Sequence, residues 1–202
     1  MISIIDYDAG NIKSVEKAVE YLGNSCVITK DRDEILSSDK VILPGVGSFG
    51  DAMKRLKEYG LDKTIYDVVD KKIPFLGICL GLQLLYESSE ESPNVSGLGI
   101  LKGKILRIPD TPGLKIPHMG WNSLNVREGA TLFEGVESNP YVYFVHSYYL
   151  KAEYENEVAA TTDYSVKIHA SVEKGNVYAC QFHPEKSSST GLKILDNFIK
   201  LN

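Results

Sequence analysis

The stretch Gly77-Ile78-Cys79-Leu80-Gly81 says most about the fold, because it joins an apolar run to a helical pattern. Residues 73–78 have the composition of a buried strand, and residues 80–87 have the spacing of a helix. A nucleophilic side chain between two glycines at this junction is the pattern of a nucleophile elbow, here with sulfur in place of oxygen. Small flanking residues suit the strained turn, and a helix N-terminus favours a thiolate. A buried core thiol is the alternative, since free cysteine is commonly buried.

Outward from this stretch, strand and helix signals alternate in the first half of the chain, and strand signals dominate the second half. Short apolar strands separated by helices indicate a parallel sheet that is covered on both faces. The sequence therefore predicts an α/β fold in one domain, residues 1–202: an open, largely parallel twisted sheet flanked by helices, with antiparallel extension in the C-terminal half. The predicted strands are 2–5, 26–29, 41–43, 73–78, 141–150, 157–162, 167–172 and 177–182, and the predicted helices are 12–22 (capped by Asn11), one carrying Phe49, Met53 and Leu56, 61–69, 80–87 and 190–201.

Composition excludes several classes of function. The net charge of -5 and the isoelectric point near 5.4 argue against a nucleic-acid surface, which needs clustered basic residues. The apolar N-terminus has no basic region before it, and no segment approaches the ~20 apolar residues of a membrane span, so we expect neither a signal peptide nor a membrane protein. Three widely spaced cysteines form neither a disulfide framework nor a metal motif. A reducing cytoplasm is the simplest interpretation.

A second candidate segment is Gln181-Phe182-His183-Pro184-Glu185, which ends a predicted strand. Because extended residues two apart share a face, we expect Glu185 to steady His183 while the imidazole faces Cys79, as in a Cys–His–acid triad. Taken alone, His-Pro-Glu favours the alternative of a surface turn with a solvated His and Glu. A metal site built from these three side chains is the weakest alternative, because their spacing matches no metal motif.

A third segment, Pro44-Gly45-Val46-Gly47-Ser48-Phe49-Gly50, has more glycine than simple packing needs. One alternative is a phosphate-binding loop, but the segment lacks the Gly-Lys-Ser/Thr ending of a P-loop. A plain flexible connection is the other alternative. As a functional element it would offer backbone N–H groups at Val46 and Gly47 to an oxyanion, together with the N–H of Leu80 after the nucleophile. The three segments follow predicted strands, and ligands bind at the carboxyl ends of parallel strands, so we expect one shared site.

Together these segments resemble the class I, triad-type glutamine amidotransferases. Gly-Ile-Cys-Leu-Gly-Leu-Gln and Gln-Phe-His-Pro-Glu match the two signatures of that superfamily in the expected order. Within it, the chain is most similar to the glutaminase subunits of imidazole glycerol phosphate synthases. That narrower resemblance covers nearly the whole chain and rests on the glycine loop at residues 44–50, Pro117-His118-Met119-Gly120-Trp121-Asn122, Tyr143-Phe144-Val145-His146-Ser147-Tyr148 and His183-Pro184-Glu185-Lys186-Ser187.

The resemblance assigns roles residue by residue. It implies that Cys79, His183 and Glu185 form the catalytic triad. It places Gly47, Gln83, Glu91, His146, Ser147 and Tyr148 around glutamine, and Asn11, Trp121, Asn122, Tyr143 and Lys186 at or near the synthase interface. Asp8 departs from the family pattern, which often has glycine at this position of Asp6-Tyr7-Asp8-Ala9-Gly10-Asn11, so the turn there is expected to differ.

The function implied by the resemblance is hydrolysis of L-glutamine, with the ammonia passed to a cyclase (barrel) subunit in a heterodimer that serves histidine biosynthesis. No metal or cofactor is expected. A class I glutaminase for another synthase is the first alternative, and a cysteine hydrolase or thiol-redox protein of similar fold is the second. A non-catalytic binding module is the third, which the presence of all three triad residues disfavours. Protection of Cys79 from thiol reagents by glutamine separates the first alternative from the second.

Overall fold

A computed structural model describes residues 1–201 and contains thirteen strands and six α-helices. The strands are β1 Ile2–Ile5, β2 Cys26–Thr29, β3 Lys40–Leu43, β4 Phe75–Ile78, β5 Ser88–Ser89, β6 Gly103–Arg107, β7 His118–Ser123, β8 Asn125–Val126, β9 Tyr141–His146, β10 Tyr148–Ala152, β11 Val158–Tyr164, β12 Val166–Lys174 and β13 Val177–Cys180. The helices are α1 Ile12–Tyr21, α2 Arg32–Leu36, α3 Phe49–Glu58, α4 Leu61–Asp70, α5 Leu80–Leu84 and α6 Ser188–Ile199, and short 3-10 helices span Thr131–Phe133, Glu155–Glu157 and Pro184–Lys186.

The main sheet has eight strands in the order β2-β1-β3-β4-β13-β12-β11-β8. Its first five strands are parallel, and β12, β11 and β8 extend it in antiparallel fashion, which confirms the predicted mixed sheet. Leu43 pairs with Gly77, and Ile78 pairs with Cys180. Strands β3, β4 and β13 therefore end side by side, and the residues that follow them meet at one edge of the sheet.

Two apolar layers cover the sheet. Neighbouring residues of one strand, such as Ile4 and Ile5, belong to opposite layers, because side chains alternate across a strand. Helices α3 and α4 pack on one face, whereas α1 and α6 pack on the other. No helix within residues 1–201 is long and apolar enough to cross a membrane.

The prediction of one strand over residues 141–150 was wrong. The chain breaks at Ser147, whose carbonyl oxygen accepts a hydrogen bond from the Ile108 N–H at 2.9 Å. Before the break, β9 pairs with β7 in a two-stranded sheet, and after it β10 pairs with β6 in a three-stranded sheet. The strand changes its pairing partner within one apolar run, and the period of the sequence continues through the break. The sequence pattern alone therefore did not reveal the change.

Two helix predictions also need correction. Helix α5 ends at Leu84, not at residue 87, because the carbonyl groups of residues 84–87 accept hydrogen bonds from backbone N–H groups of residues 97–101. The short helix α2 was not predicted, although the Asp31 side chain caps it by accepting from the Glu34 N–H at 2.9 Å. Five residues are too few to show a helical period.

Candidate active site

Cys79 occupies a sharp turn between β4 and α5. Its backbone has φ 55° and ψ −107°, a strained conformation for a residue with a side chain. The flanking glycines are required by close backbone approach: a Cβ on Gly81 would lie 1.9 Å from the Leu43 carbonyl oxygen, and one on Gly77 would lie 2.8 Å from the Gly81 oxygen. The elbow geometry predicted from Gly-x-Cys-x-Gly is therefore present.

His183 lies between Cys79 and Glu185. Its Nδ1 is 2.8 Å from Glu185 Oε1, and both side chains are almost fully buried. Burial alone lowers the pKa of His183, but hydrogen bonding and charge interaction with Cys79 and Glu185 outweigh burial and raise it to about 9. The expected contact is present for a different reason from the one predicted, because Pro184–Lys186 is a 3-10 turn and not an extended segment.

Asn11 reaches the same carboxylate. Its Nδ2 donates to Glu185 Oε1 at 2.6 Å, across 174 positions of sequence. Asn11 stands at the N-cap position of α1, as predicted, but its backbone is left-handed with φ 73° and its side chain makes no capping hydrogen bond, so the prediction of a side-chain cap was wrong. Glu185 Oε1 thus receives hydrogen bonds from both the Asn11 amide and the His183 imidazole, which fixes the orientation of the carboxylate.

Gln181 is a functional candidate that sequence reasoning did not single out. It is fully buried, and its Nε2 lies 3.7 Å from the Cys79 sulfur, within hydrogen-bonding range for sulfur. Its Oε1 accepts from Gln83 Nε2 at 3.1 Å. Its place at the start of Gln-Phe-His-Pro-Glu was the available signal.

The glycine loop at residues 44–50 packs directly beside the elbow. The Leu80 N–H donates to the Gly45 carbonyl oxygen at 3.3 Å, and Gly47 has φ 112°. Tyr7, which was also missed, supports the loop from below: its hydroxyl donates to the Pro44 carbonyl oxygen at 2.9 Å. A Cβ on Gly45 would lie 2.1 Å from the Tyr7 hydroxyl oxygen, so this position accepts only glycine without rearrangement.

A cavity of about 350 Å³ opens above the Cys79 sulfur. The structure brings all six residues expected around glutamine to its wall, and Pro117 and Val145 join them. Glu91 supplies a carboxylate, one oxygen of which accepts from the Phe49 N–H at 2.7 Å. The complete lining is Val46, Gly47, Cys79, Leu80, Gln83, Glu91, Pro117, Val145, His146, Ser147 and Tyr148.

The other two thiols lie in different environments. Cys180 is fully buried, and burial first, then the charges of Glu185 and Cys79, raises its pKa well above the ordinary value. Partial burial also raises the pKa of Cys26. Within residues 1–201, no group of three or more His, Cys, Asp or Glu side chains is arranged to hold a metal ion.

The residues expected at a partner interface divide into two groups. Trp121 is about half exposed and Lys186 is exposed, whereas Tyr143 is half-buried beside Trp121, with ring centroids 6.2 Å apart. Asn122 and Asn11 are half-buried and make hydrogen bonds inside the chain. Met119 and Tyr141, on the same two-stranded sheet as Trp121, are exposed at 61% and 59%, which makes an apolar outer face on β7 and β9.

Comparison with known proteins defines the class. Residues 3–201 match the family described as Glutamine amidotransferase class-I. Solved structures share the fold: a crystal structure of a glutamine amidotransferase has a TM-score of 0.77 at 20% identity, covering 98% of this chain and 97% of that one. PurLQS from Thermotoga maritima has a TM-score of 0.74 at 22% identity, covering 98% and 96%.

Full-length relatives give the particular group. The chain is 48% identical over 204 residues to imidazole glycerol phosphate synthase subunit HisH 1 of Methanococcus maripaludis, and 50% identical over 201 residues to subunit HisH of Methanocaldococcus jannaschii, in each case covering 100% of both chains. The HisH subunit of Caldanaerobacter subterraneus is 49% identical, covering 98% of this chain and 97% of the relative. The chain belongs to the class I glutamine amidotransferase family, and within that family to the HisH subunits.

Proposed function

We propose that the chain hydrolyses L-glutamine to glutamate and ammonia through a thioester on Cys79. The observation that carries this proposal is the arrangement of His183: its Nδ1 hydrogen bonds Glu185 at 2.8 Å, and its Nε2 is buried with no partner, beside Cys79 and a cavity of about 350 Å³. A nucleophile, a base and an orienting acid in this order are the parts that acyl transfer needs.

The reaction proceeds in two steps. The Cys79 thiolate attacks the side-chain carbonyl carbon of glutamine, and backbone N–H groups at Leu80 and around Val46 and Gly47 hold the tetrahedral oxyanion. The carbon–nitrogen bond then breaks while imidazolium His183 protonates the leaving nitrogen, which departs as ammonia. Water attacks the thioester, neutral His183 takes its proton, and glutamate leaves as the Cys79 thiolate and imidazolium His183 are restored.

Glutamine is held by the cavity wall in this proposal. Glu91 is the carboxylate on that wall and suits the α-ammonium group of the substrate. Gly47, Ser147 and Tyr148 offer backbone and hydroxyl groups around it. Gln83 and His146 complete the wall, although Gln83 Nε2 and both ring nitrogens of His146 are hydrogen-bonded within the chain.

The ammonia serves a partner. Because the HisH relatives are named as subunits of imidazole glycerol phosphate synthase, we assign this chain a cyclase subunit with a barrel fold as its partner in a cytoplasmic heterodimer of histidine biosynthesis. The cyclase uses the ammonia to form imidazole glycerol phosphate and an aminoimidazole carboxamide ribotide. The exposed face with Met119, Trp121 and Tyr141, together with the adjoining Asn11, Asn122, Tyr143 and Lys186, is the proposed contact surface.

The test compares two nitrogen sources in the reconstituted complex. Wild-type chain with the cyclase should form imidazole glycerol phosphate from either glutamine or ammonium. Cys79→Ala should abolish the glutamine-dependent reaction and retain the ammonium-dependent one, whereas Cys26→Ala, a matched thiol outside the site, should retain both. Glutamine-dependent synthesis by Cys79→Ala would overturn the proposal.

A further inference from the structure

Two buried histidines on neighbouring strands hydrogen bond each other beside the cavity. His118 on β7 pairs directly with His146 on β9, and His118 Nδ1 lies 2.9 Å from His146 Nε2. Their side chains are almost fully buried, and the His118 ring is stacked between Phe144 and Tyr164, with ring centroids at 4.7 and 4.0 Å. The mechanism given above uses neither imidazole.

The proton positions of this pair follow from its neighbours. His146 Nδ1 lies 2.8 Å from the Tyr148 carbonyl oxygen, which only accepts, so Nδ1 carries the hydrogen. Burial lowers the pKa of His146 to about 3 and that of His118 to about 4, so both rings are neutral at pH 7. His146 Nε2 therefore accepts from His118 Nδ1, and His118 Nε2 accepts in turn from Asn122 Nδ2 at 3.3 Å.

Asn122 is fixed at the other end. Its Nδ2 also donates to the Asp163 carbonyl oxygen at 3.2 Å, and its Oδ1 accepts from the Ser123 N–H at 2.9 Å. These two contacts set the orientation of the amide. Both amide hydrogens and the amide oxygen are thus hydrogen-bonded, and Asn122 anchors a chain of hydrogen bonds that runs in one direction as far as the Tyr148 carbonyl oxygen.

The chain continues to the nucleophile. The Tyr148 carbonyl oxygen that accepts from His146 also accepts from Gln83 Nε2 at 3.2 Å. The second hydrogen of Gln83 Nε2 goes to Gln181 Oε1 at 3.1 Å, and Gln181 Nε2 reaches the Cys79 sulfur at 3.7 Å. An unbroken path of hydrogen-bonded polar groups therefore joins Asn122 to Cys79, with donors on both sides of the Tyr148 carbonyl oxygen.

His146 has no ring nitrogen left for the substrate, although it lines the cavity. Its remaining role is to hold the Tyr148 carbonyl group and with it the amides of Gln83 and Gln181. We propose that Asn122 and His118 are positioning residues for glutamine hydrolysis, which act through His146 and the Tyr148 carbonyl group on the orientation of Cys79; this inference rests on the proposed function.

The path also begins next to the proposed contact surface. Asn122 follows Trp121 on β7, and successive side chains of a strand point to opposite faces. Trp121 faces outward, and Asn122 turns inward to His118. A partner that shifts β7 therefore changes the hydrogen bond at the start of the path.

Nuclear magnetic resonance of the ¹⁵N-labelled chain tests the hydrogen-bond path without any activity. At pH 7, long-range correlations of the imidazole nitrogens should show His118 and His146 as neutral rings with the hydrogen on Nδ1. A hydrogen on Nε2 of either ring, or an imidazolium, would overturn the path. This experiment needs no partner, so its failure is distinguishable from failure of the proposed function.

Steady-state hydrolysis of glutamine in the complex with the cyclase tests the positioning role. His118→Leu should lower kcat by about tenfold to a hundredfold with little change in KM, as expected when a reacting group is misplaced. His118→Asn keeps a donor at the position of Nδ1 and should recover most of that loss. Buried His169, which accepts from the Ala152 N–H at 3.1 Å away from the cavity wall, gives the matched control His169→Leu, with kcat near wild type.

Equal losses of kcat in His118→Leu and His169→Leu would mean that replacing any buried histidine lowers activity by disturbing the fold. That result would overturn the positioning role of His118. Failure of His118→Asn to recover activity while the fold is intact would do the same. Should His118→Leu not fold, His118→Asn and Asn122→Ala replace it. His118→Asn keeps the donor to His146 and should retain a higher kcat than Asn122→Ala, which removes the donor to His118. Equal kcat values near wild type in both variants would overturn the proposal.

Discussion

The backbone N–H of Leu80 donates to the carbonyl oxygen of Gly45 at 3.3 Å. This N–H is one of the groups proposed to hold the oxyanion, and its partner belongs to the loop proposed to supply the others. A carbonyl oxygen and an oxyanion repel each other and compete for the same hydrogen. The loop at residues 44–50 therefore has to release Leu80 before the site binds a tetrahedral intermediate.

The isolated chain should hydrolyse glutamine slowly for this reason. An oxyanion donor is worth about 3 kcal/mol, or roughly a hundredfold in rate. We expect addition of the ligand-bound cyclase to raise kcat by about that factor or more. Ammonia release measured with and without the partner checks this, and full turnover by the purified chain alone would contradict it.

Gly47→Ala should impair hydrolysis more than it impairs folding. Gly47 has φ 112° with open space around its Cα, so an added Cβ meets no neighbour and costs about 1–3 kcal/mol of backbone strain. Gly113, with φ 87° and equally open surroundings, is the matched control. Thermal unfolding should place the two variants close together, while kcat in the complex falls by about tenfold or more only for Gly47→Ala. Equal kcat values for Gly47→Ala and Gly113→Ala would show that the loop at residues 44–50 has no role in the mechanism.

Glu185→Gln should lower the pKa of His183. The carboxylate favours the imidazolium, so a neutral amide in its place moves the pKa down from about 9. The basic limb of the pH profile for kcat/KM, where His183 loses the proton that the leaving nitrogen needs, should move to lower pH. An unchanged basic limb would mean that another group supplies the proton.

The same pKa has a consequence for stability. His183 has a higher pKa in the folded chain than the ordinary value of 6.5, so its protonation stabilises the fold. That contribution is fully present below about pH 6.5 and is lost as the pH rises through about 9. Glu185→Gln should therefore show a smaller loss of stability than the wild type across this pH range in denaturant titrations.

Asp8→Gly should lower the pKa of Tyr59 and leave hydrolysis at the wild-type level. Asp8 stands at a position where the family that this chain resembles often has glycine. Its φ of 59° lies in the region that glycine favours, so glycine fits the same backbone. The Asp8 carboxylate accepts from the Tyr59 hydroxyl, and this hydrogen bond raises the pKa of Tyr59. Absorbance titration against Tyr59→Phe measures the change. A strong loss of activity would show that Asp8 supports the site.

The sequence predicted the parts of the site that lie in one continuous motif or at the ends of neighbouring strands. It did not predict contacts between residues far apart in the chain. Cys79 and the flanking glycines form one continuous motif, and the ends of parallel strands converge in any such sheet, so the pattern predicted that Cys79, His183 and the glycine loop lie at one edge. The hydrogen bond from Asn11 to Glu185 joins residues 174 positions apart. Nothing in the sequence around either residue indicates that it contacts the other. The support of Pro44 by Tyr7 is hidden for the same reason.

The fold shows the same division. The strands of the parallel half have clear apolar runs and were predicted within a few residues. The break at Ser147 and the early end of α5 both result from hydrogen bonds made to distant backbone groups, such as the Ile108 N–H and the N–H groups of residues 97–101. Periodicity reports which face of an element is buried, not which segment pairs with it.

Capture of the acyl-enzyme tests the central claim most directly. The complex with the cyclase is incubated with radiolabelled glutamine, quenched in acid and mapped by peptide mass spectrometry. We predict one glutamyl group on Cys79, absent from Cys79→Ala, with Cys26 and the buried Cys180 unmodified. Release of ammonia with no label on Cys79, or a label on either of the other cysteines, would contradict the assignment of Cys79 as the nucleophile.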